Sequence, residues 1–495
     1  MLRKIVSAII FLSLTLSLLP ESALAFTPEV FKKEVKESFL AQNTEYTSRT
    51  YATDFSFRAI LPRWSENLNG AEIFVGFGET EEKLKWIEAQ FSDAGFGGKD
   101  GWRFGDIIPI GGAKFFQYKI IFSPKDLGKK AEFFFDLYDV YGSGIPVAKI
   151  SADGAGLGPN IISRKSWEAN EGYMKWAPEY AEVKAIVIHH TAGEQAATTT
   201  DQAAAMRNLY YGHAVSFGWG DIGYNYVVDA NGAIYEGRAG GNSAVAGHAL
   251  GYNYGTIGIS VIGDYTTRVP SADQTKAIED LVAYLAYKNN LDIGNKVFLK
   301  DKTINVVSGH RDLNPTACPG ENIYIRMDEI RMGVAEKLKN YPAKNYSAQV
   351  SSVSQAISLS GGETRKVSVS VKNNSNTALL SAGSQTLALK SDTAKLSSKL
   401  VNFGRSIEAG ETKNVEVELT APFTNEVVTT NFSLTAGGID LPGTNFSVTA
   451  TIATPRYKAK ISAKSPDQTI RPSAQGTFWV EVKNMGADTW DGGEG

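Results

Sequence analysis

Cysteine is almost absent from this chain, since Cys318 is the only one among 495 residues. A lone cysteine cannot form an internal disulfide, so the fold is not a disulfide-stapled scaffold. An excess of positive charge is also absent, because the formal net charge is −3. We therefore expect no nucleic-acid partner of the kind that is held by a bulk positive field.

Long hydrophobic runs are equally scarce, and the one that exists lies at the start of the chain. Two basic residues precede a nearly continuous apolar stretch from Ile5 to Leu19, which is short for a membrane span. Small residues at Ala23 and Ala25 then suit a cleavage site, so residues 1–25 are predicted to be a signal peptide, with an uncleaved anchor as the alternative. After cleavage we expect a secreted, extracytoplasmic protein without stable membrane insertion.

What remains has an ordinary globular composition, with 43% hydrophobic and 21% charged residues. Its length favours roughly three domains of ~150 residues each. Residues 26–157 contain short aromatic and β-branched runs between glycine and proline clusters, which predicts a β-rich accessory domain, with a β-sandwich as the expected form. Trp64, Trp86 and Trp102 in this region could either bind glycan or pack in its core.

The C-terminal part contains an internal repeat with a constant offset. Asn345–Ser351 recurs as Arg456–Ser462, and Val369–Asn373 recurs as Val480–Asn484. Both copies alternate apolar and polar residues, as strands with one buried face do. We predict an Ig-like β-sandwich over residues 345–452 and the start of a second, truncated repeat over residues 455–495, which is too short to bury a core of its own.

The central region, residues 158–342, mixes helix and strand patterns. Asp201–Tyr211 has a helical composition, Gly255–Ile262 is an apolar strand, and Ser271-x-x-Gln274 forms a capping box before an amphipathic helix. The fold class is therefore multidomain: a central α/β domain, in which helices flank a mixed sheet, lies between β-sandwich accessory domains.

The chemically informative residues lie in this central region. An apolar strand pattern ends at His189-His190, and His310 precedes Cys318 by eight positions in GHRDLNPTACPG. Two imidazoles and one thiolate suit a four-coordinate Zn²⁺ whose last position stays open for chemistry. Neighbouring histidines on a strand point to opposite faces, so either His189 or His190 is the ligand, but not both. Cys318 as a core thiol is the remaining alternative.

Six segments carry a resemblance to a known family. In chain order they are Ile162-Ser163-Arg164-x-x-Trp167, Val187-Ile188-His189-His190-Thr191, Asp221-Ile222-Gly223-Tyr224-Asn225-Tyr226, Gly232-x-Ile234-Tyr235-Glu236-Gly237-Arg238, Gly247-His248-Ala249-x-Gly251-Tyr252-Asn253 and Gly309-His310-Arg311-Asp312-x-x-Pro315-Thr316-x-Cys318-Pro319-Gly320. Residues 161 to about 338 thus resemble peptidoglycan recognition proteins and phage lysozyme-type zinc N-acetylmuramoyl-L-alanine amidases.

The resemblance implies a set of catalytic and metal-binding residues. His189, His310 and Cys318 match the family's zinc ligands, and Tyr224 matches the tyrosine beside the metal. Thr316 occupies a position that is lysine in phage members and threonine in many recognition proteins. It could donate to an oxyanion, without the positive charge that a lysine would add.

The resemblance also implies substrate contacts. His248 matches a histidine of the family's groove, although a structural role is the alternative. Arg238 could hold substrate carboxylates through a bidentate contact or only cap a loop. His190, if it is not a ligand, is a further candidate substrate contact. His213 follows a predicted helix end and is expected at the surface.

Together these residues predict a secreted zinc hydrolase that cleaves the amide bond between N-acetylmuramoyl and L-alanine in peptidoglycan. The alternative is a non-catalytic peptidoglycan-binding receptor or surface protein. Non-catalytic members of the family typically lack the cysteine ligand, so the presence of Cys318 favours the enzyme.

Overall fold

A computed structural model describes residues 28–91, 101–143, 150–151, 157–193, 201–351, 355–381, 386–455, 459–466, 475–486 and 488–490. The predicted signal peptide, residues 1–25, lies outside this part of the chain. No helix within the described ranges is long and apolar enough to cross a membrane.

The N-terminal region forms one antiparallel sheet, called here the N-terminal sheet. Eight described strands form it: β1 Glu29–Leu40, β2 Glu45–Thr47, β3 Tyr51–Ser65, β4 Glu72–Gly78, β5 Lys85–Glu88, β6 Trp102–Phe104, β7 Ile108–Ile121 and β8 Lys130–Tyr141. Their order in the sheet is β1-β8-β3-β7-β4-β5, and in addition β2 pairs with β7 and β6 pairs with β3.

This sheet differs from the two-sheet sandwich predicted for residues 26–157, because the strands from β1 to β8 all belong to one sheet. The pairing of β3 with β7 shifts register on both sides of Phe57. Such irregularities bend strands and increase their twist. The sheet therefore curls around its own aromatic core, in which Phe57, Phe116, Phe133 and Phe135 are at most 1% exposed.

The three tryptophans of this region have different environments. Trp64 is 4% exposed and belongs to the core. Trp102 is half-buried and packs edge-on against Phe134, with ring centroids 4.5 Å apart. Only Trp86, 39% exposed, presents a large apolar surface to solvent. Core packing thus accounts for Trp64.

The central region forms a mixed sheet with helices beside it. The sheet order is β17-β11-β14-β12-β13-β10-β9, and β15 pairs with β16 in a separate hairpin. The strands are β9 Ile150–Ser151, β10 Asn160–Ile162, β11 Ala185–His190, β12 Tyr226–Val228, β13 Ile234–Glu236, β14 Thr256–Val261, β15 Lys296–Leu299, β16 Lys302–Asn305 and β17 Val307–Gly309; the helices are α1 Gln202–Tyr211, α2 Ala272–Lys288, α3 Glu321–Tyr324 and α4 Met327–Leu338.

The parallel centre of this sheet explains where its functional residues meet. Every residue of β11 is buried, as expected for a strand covered on both faces. β11 runs parallel to β14 on one side and to β17 on the other, with Ile188 opposite Gly309. The carboxyl ends of these strands therefore share one edge, where ligand sites of α/β sheets usually form.

Helix α2 closes the core behind the sheet. Ser271 and Gln274 make both hydrogen bonds of the predicted capping box. The face of α2 that contains Ile278, Leu281 and Leu285 is fully buried against the strands, and α4 packs beside it.

The C-terminal region contains two sheets that share one hydrophobic core. Their orders are β18-β20-β23-β22 and β19-β26-β24-β21, with β25 added to β24. The strands are β18 Ala348–Ser351, β19 Gln355–Ser360, β20 Thr364–Asn373, β21 Leu387–Ser391, β22 Ser397–Leu400, β23 Thr412–Thr420, β24 Glu426–Ala436, β25 Ile439–Asp440 and β26 Phe446–Ala453.

A further strand pair follows, β27 Ala459–Lys464 with β28 Val480–Asn484. In it Ala459 pairs with Asn484, just as Ala348 pairs with Asn373 between β18 and β20. The internal repeat found in the sequence thus recurs as a repeated strand register.

Candidate metal centre and its cavity

His189, His310 and Cys318 form one buried group at the shared strand edge, called here the metal-ligand cluster. Their ligand atoms all lie within 4.8 Å of one another. The Nδ1 atom of His189 is 3.6 Å from the Sγ atom of Cys318. The three residues are 1%, 3% and 6% exposed, so water competes little for their ligand atoms.

The spacing in this group fits a tetrahedral zinc site. Bonds of about 2.3 Å to sulfur and about 2.0–2.1 Å to nitrogen place two ligand atoms about 3.5 Å apart at a tetrahedral angle. The 3.6 Å between His189 Nδ1 and Cys318 Sγ agrees with that distance. Among the described residues no fourth ligand joins the two imidazoles and the thiol, and an open fourth position is typical of catalytic zinc sites.

Two backbone elements bring the ligands together. His189 is the last residue but one of β11, and His310 directly follows β17, the parallel neighbour of β11. The loop after His310 folds back, because Arg311 donates its backbone N–H to the carbonyl oxygen of Cys318 at 3.1 Å. The backbone N–H of His190 points at Cys318 Sγ from 3.4 Å. The thiol is therefore held against the end of β11.

A chain of hydrogen bonds determines which nitrogen of His189 faces the cluster. The hydroxyl of Thr256 donates to the carbonyl oxygen of Tyr252 at 2.6 Å, so its oxygen accepts from Nε2 of His248 at 3.2 Å. Nδ1 of His248 is then an acceptor, and Nε2 of His189 donates to it at 2.9 Å. This leaves the Nδ1 lone pair of His189 free to bind a metal.

The position of His248 depends on Gly258 in β14. A Cβ atom at Gly258 would collide with the imidazole ring of His248. The ring therefore lies directly on the backbone of the strand, behind His189. His248 is 3% exposed and acts as a partner of a ligand, in the way that outer partners of metal-bound histidines do.

His310 has a comparable partner. One of its ring nitrogens, Nε2, lies 3.2 Å from Oδ1 of Asn314. The amide nitrogen of Asn314 donates to the carbonyl oxygen of Leu250 at 3.2 Å, which orients Oδ1 toward the ring. The contact with Asn314 thus orients the ring of His310 within the metal-ligand cluster.

Burial keeps the imidazoles of His189 and His248 neutral. It lowers the pKa of His189 well below the usual value, and the neighbouring His310 and His248 lower it further. Burial and His310 also lower the pKa of His248, to about 3. Neutral imidazole is the form that binds metal ions.

The remaining sequence candidates lie at different distances from the cluster. Tyr224 lines the same cavity, and its ring centroid is 5.4 Å from that of His189. The hydroxyl oxygen of Thr316 accepts a hydrogen bond from the backbone N–H of Cys318 at 2.9 Å. As far as the described residues go, the cavity lining includes Ala317 and Cys318 but not Thr316.

His190 and Arg238 serve the surrounding loops. His190 also lines the cavity, and its Nδ1 accepts from the backbone N–H of Tyr265 at 3.2 Å, so this nitrogen faces the Tyr265 loop rather than the metal-ligand cluster. Arg238 is 9% exposed, and its Nε donates to the carbonyl oxygen of Ile222 at 3.0 Å. The structure brings His189 rather than His190 into the cluster, and it gives Arg238 a contact of the loop-capping kind.

The expectation that His213 lies at the surface is wrong. After α1 the chain continues as a π-helical turn over Gly212–Ser216, which carries His213 inward instead of releasing it. His213 is 5% exposed, accepts from the backbone N–H of Gly223 at 3.1 Å and stacks on Trp219. A local departure from the α-helical hydrogen-bond pattern leaves no mark in sequence periodicity.

The cluster opens into a cavity of about 400 Å³. Its lining includes residues that sequence reasoning did not find. The central region contributes the aromatic residues Phe217 and Trp219 and the acidic residue Asp264. The N-terminal region contributes four residues, which are Gln90, Phe91, Asp106 and Ile107. No local motif distinguishes the last four, because only the packing of the N-terminal sheet brings them to the site.

Comparison with known proteins agrees with this geometry. The family model described as N-acetylmuramoyl-L-alanine amidase matches residues 179–321. Peptidoglycan-recognition protein SC2 of Drosophila simulans is 32% identical over 175 residues, which cover 35% of this chain and 86% of that protein. Peptidoglycan recognition protein 1 of Bos taurus is 32% identical over 165 residues, covering 33% of this chain and 80% of the relative.

One solved structure of similar kind is an endolysin N-acetylmuramoyl-L-alanine amidase from Clostridium intestinale. It is 26% identical, with a TM-score of 0.27, and the match covers 36% of this chain and 97% of that one. Since this chain spans most of the length of the recognition proteins at about one third identity, it belongs to the family that unites N-acetylmuramoyl-L-alanine amidases with peptidoglycan recognition proteins.

Proposed function

We propose that the protein is a zinc-dependent N-acetylmuramoyl-L-alanine amidase, which hydrolyses the amide bond between the muramoyl lactyl group and L-alanine of peptidoglycan. The observation that carries the proposal is the buried group of His189, His310 and Cys318 at the base of an open cavity. A purely structural zinc site would be closed by a fourth protein ligand.

His189, His310 and Cys318 are the residues that would hold the metal. Zn²⁺, when bound, supplies a Lewis acid and makes water nucleophilic near neutral pH. Tyr224 lines the cavity beside His189, and its O–H donates to the scissile carbonyl oxygen as negative charge develops there. His248 orients His189, and the hydroxyl oxygen of Thr316 positions Cys318 by accepting a hydrogen bond from the backbone N–H of Cys318.

His190 and Arg238 have indirect roles in this proposal. His190 helps to hold the loop of Tyr265 beside the cavity, and Arg238 holds the loop of Ile222. The described lining of the cavity does not include Arg238, so a contact of Arg238 with a substrate carboxylate stays a prediction.

The second candidate is a receptor that binds peptidoglycan without turnover. The names of the curated relatives favour it, because they describe recognition rather than hydrolysis. The presence of Cys318 favours the enzyme, since the thiol completes the set of metal ligands.

The wider organisation follows as part of the same proposal. A signal peptide over residues 1–25 would deliver the protein outside the cytoplasm, and the amidase domain would span residues 158–342. The N-terminal accessory domain of residues 26–157 and the Ig-like repeats of residues 345–452 and 455–495 would surround it and contact the wall or the cell surface.

The test is digestion of purified peptidoglycan by the full chain, with mass spectrometry of the soluble products. Wild-type protein supplied with zinc should release stem peptides that begin with L-alanine, and Cys318→Ala should not. Chelation should abolish release, and added zinc should restore it in the wild type alone. Binding to the wall without any released peptide would support the receptor and contradict the enzyme.

A further inference from the structure

Part of the cavity wall comes from outside the central region. Gln90 and Phe91 lie just after β5, and Asp106 and Ile107 lie just before β7. The two segments are paired, because Phe91 bridges Gly105 and the backbone N–H of Asp106 donates to the carbonyl oxygen of Gln90 at 3.0 Å. They form one continuous edge at the cavity, called here the sheet edge.

Apolar packing fixes the sheet edge to the central region. Leu61, Ile107 and Tyr138 of the N-terminal sheet share one hydrophobic core with residues of α1, including Met206 and Leu209. A Cβ atom at Gly212 would collide with Ile107, so the two parts approach as closely as a glycine allows.

Buried polar contacts reinforce this packing. The side chain of Asn208 in α1 accepts from the backbone N–H of Val140 at 2.9 Å and donates to Asp139 at 3.2 Å. Arg58 joins Asp139 to Asp201, the N-cap of α1. These hydrogen bonds and ion pairs add directional contacts to the apolar packing between the N-terminal sheet and α1. The sheet edge is therefore held in place beside the cavity.

The chemistry of this side of the cavity selects a class of ligand. Phe91 is 41% exposed, and the guanidinium of Arg103 lies over its ring, 5.3 Å from the centroid, so a ligand would pack on the part of the ring that Arg103 does not cover. Asp106 is a half-buried carboxylate, which when ionised can only accept hydrogen bonds. Asp264 adds a second carboxylate, and within the described lining there is no lysine or arginine. An anionic group such as a peptide carboxylate is repelled here, whereas a neutral ring with hydroxyl groups is accommodated.

We propose that Phe91 and Asp106 on the sheet edge form a saccharide subsite, which binds the sugar next to the muramoyl unit of the substrate. The sugar's C–H face packs on Phe91, and its hydroxyl groups donate to Asp106. The assignment rests on the proposed substrate class and extends it. In this arrangement the N-terminal domain binds the glycan part of the substrate, and the central region binds the peptide part.

The test compares three substrates with the full-length protein loaded with zinc. One is a muramoyl peptide with a single sugar, the second has the same peptide on a disaccharide, and the third has the single sugar and a longer peptide. Phe91→Ala and Asp106→Asn should raise KM about tenfold for the disaccharide substrate, a loss of ~1.4 kcal/mol. The variants should leave kcat unchanged and should shift KM for the two single-sugar substrates less than about twofold.

Matched controls are Phe31→Ala and Asp54→Asn, at exposed positions of the N-terminal sheet outside the cavity lining. Equal effects on all three substrates, no effect on any, or an effect that follows peptide length would each overturn the subsite. Should the wild type hydrolyse none of them, the proposed amidase fails by itself. In that case, dissociation constants measured by tryptophan fluorescence compare the binding of the single-sugar and disaccharide compounds to the wild type and the variants.

Discussion

Nε2 of His189 lies 2.9 Å from Nδ1 of His248, and this contact decides which nitrogen of His189 faces Cys318. The direction of the hydrogen bond begins at Thr256, whose single hydroxyl proton is used on the carbonyl oxygen of Tyr252. A residue outside the metal-ligand cluster thus sets the tautomer of a residue inside it.

The first prediction concerns this contact. His248→Ala should weaken zinc binding about 10–100-fold, because His189 loses the acceptor that fixes its ring. Competition with a chromogenic chelator measures the dissociation constant. Thr256→Val removes only the acceptor of His248 and should have a smaller effect in the same direction. An unchanged zinc affinity in His248→Ala would contradict the assigned hydrogen-bond chain.

The second prediction separates the two adjacent histidines. His189→Ala should lose bound zinc, because its Nδ1 belongs to the cluster. His190→Ala should keep about one zinc per chain, since the ring of His190 accepts from the backbone of Tyr265 instead. Elemental analysis of purified variants gives the stoichiometry, and circular dichroism checks that both variants are folded. Loss of zinc from His190→Ala with retention in His189→Ala would reverse the assignment.

The third prediction concerns the close approach of the N-terminal sheet to α1. Gly212→Ala introduces a Cβ atom that collides with Ile107 and lies 2.7 Å from the hydroxyl oxygen of Tyr138. Overpacking of this kind costs about 1–3 kcal/mol, so the melting temperature should fall. Gly111→Ala is the matched control, because nothing lies within 4 Å of its added Cβ. Equal melting temperatures for the two variants would show that the interface accommodates the added Cβ atom, and this would contradict the prediction.

The fourth prediction is a pH dependence at the contact between the C-terminal sandwich and the central region. Glu408 lines a cavity there with Arg405, Glu411 and Lys288, and its Oε1 is buried with no hydrogen-bond partner among the described residues. Burial, with a smaller contribution from the negative charge of Glu411, raises the pKa of Glu408 to about 7, although Arg405 and Lys288 oppose the shift.

A carboxyl group whose pKa is raised by folding stabilises the folded state fully below its unfolded pKa and loses that contribution as pH rises through the folded value. The wild type should therefore lose stability between about pH 4.5 and pH 7 relative to Glu408→Gln, which does not titrate. Denaturant unfolding at several pH values measures the difference, with exposed Glu81→Gln as the control. Parallel pH profiles for wild type and Glu408→Gln would contradict the prediction.

Much of the central site is local in sequence. The capping box at Ser271 and Gln274, the buried strand before His189 and the spacing of His310 and Cys318 are each determined by residues a few positions apart. Hydrophobic periodicity and turn chemistry act over that range, so these features could be predicted.

The choice between His189 and His190 could not be made in the same way. Both follow one strand, and alternation says only that they face opposite sides. The side that faces Cys318 depends on the parallel pairing of β11 with β17, which is a contact between residues more than a hundred positions apart. The inward turn of His213 was missed for another reason, because a π-helical turn over Gly212–Ser216 continues α1 and hydrophobic periodicity does not record such a turn.

By itself the sequence determined the set of candidate ligands, the mixed character of the central region and the repeat at the C-terminal end. Only the tertiary structure decided that the N-terminal strands form one curled sheet, that this sheet packs on α1 and that its edge reaches the cavity. The physical reason is that a strand pattern specifies which face is buried but not what buries it. Long-range packing makes that choice, and it placed Phe91 and Asp106 beside a metal-ligand cluster whose first member lies about a hundred residues, and whose other two lie more than two hundred residues, further along the chain.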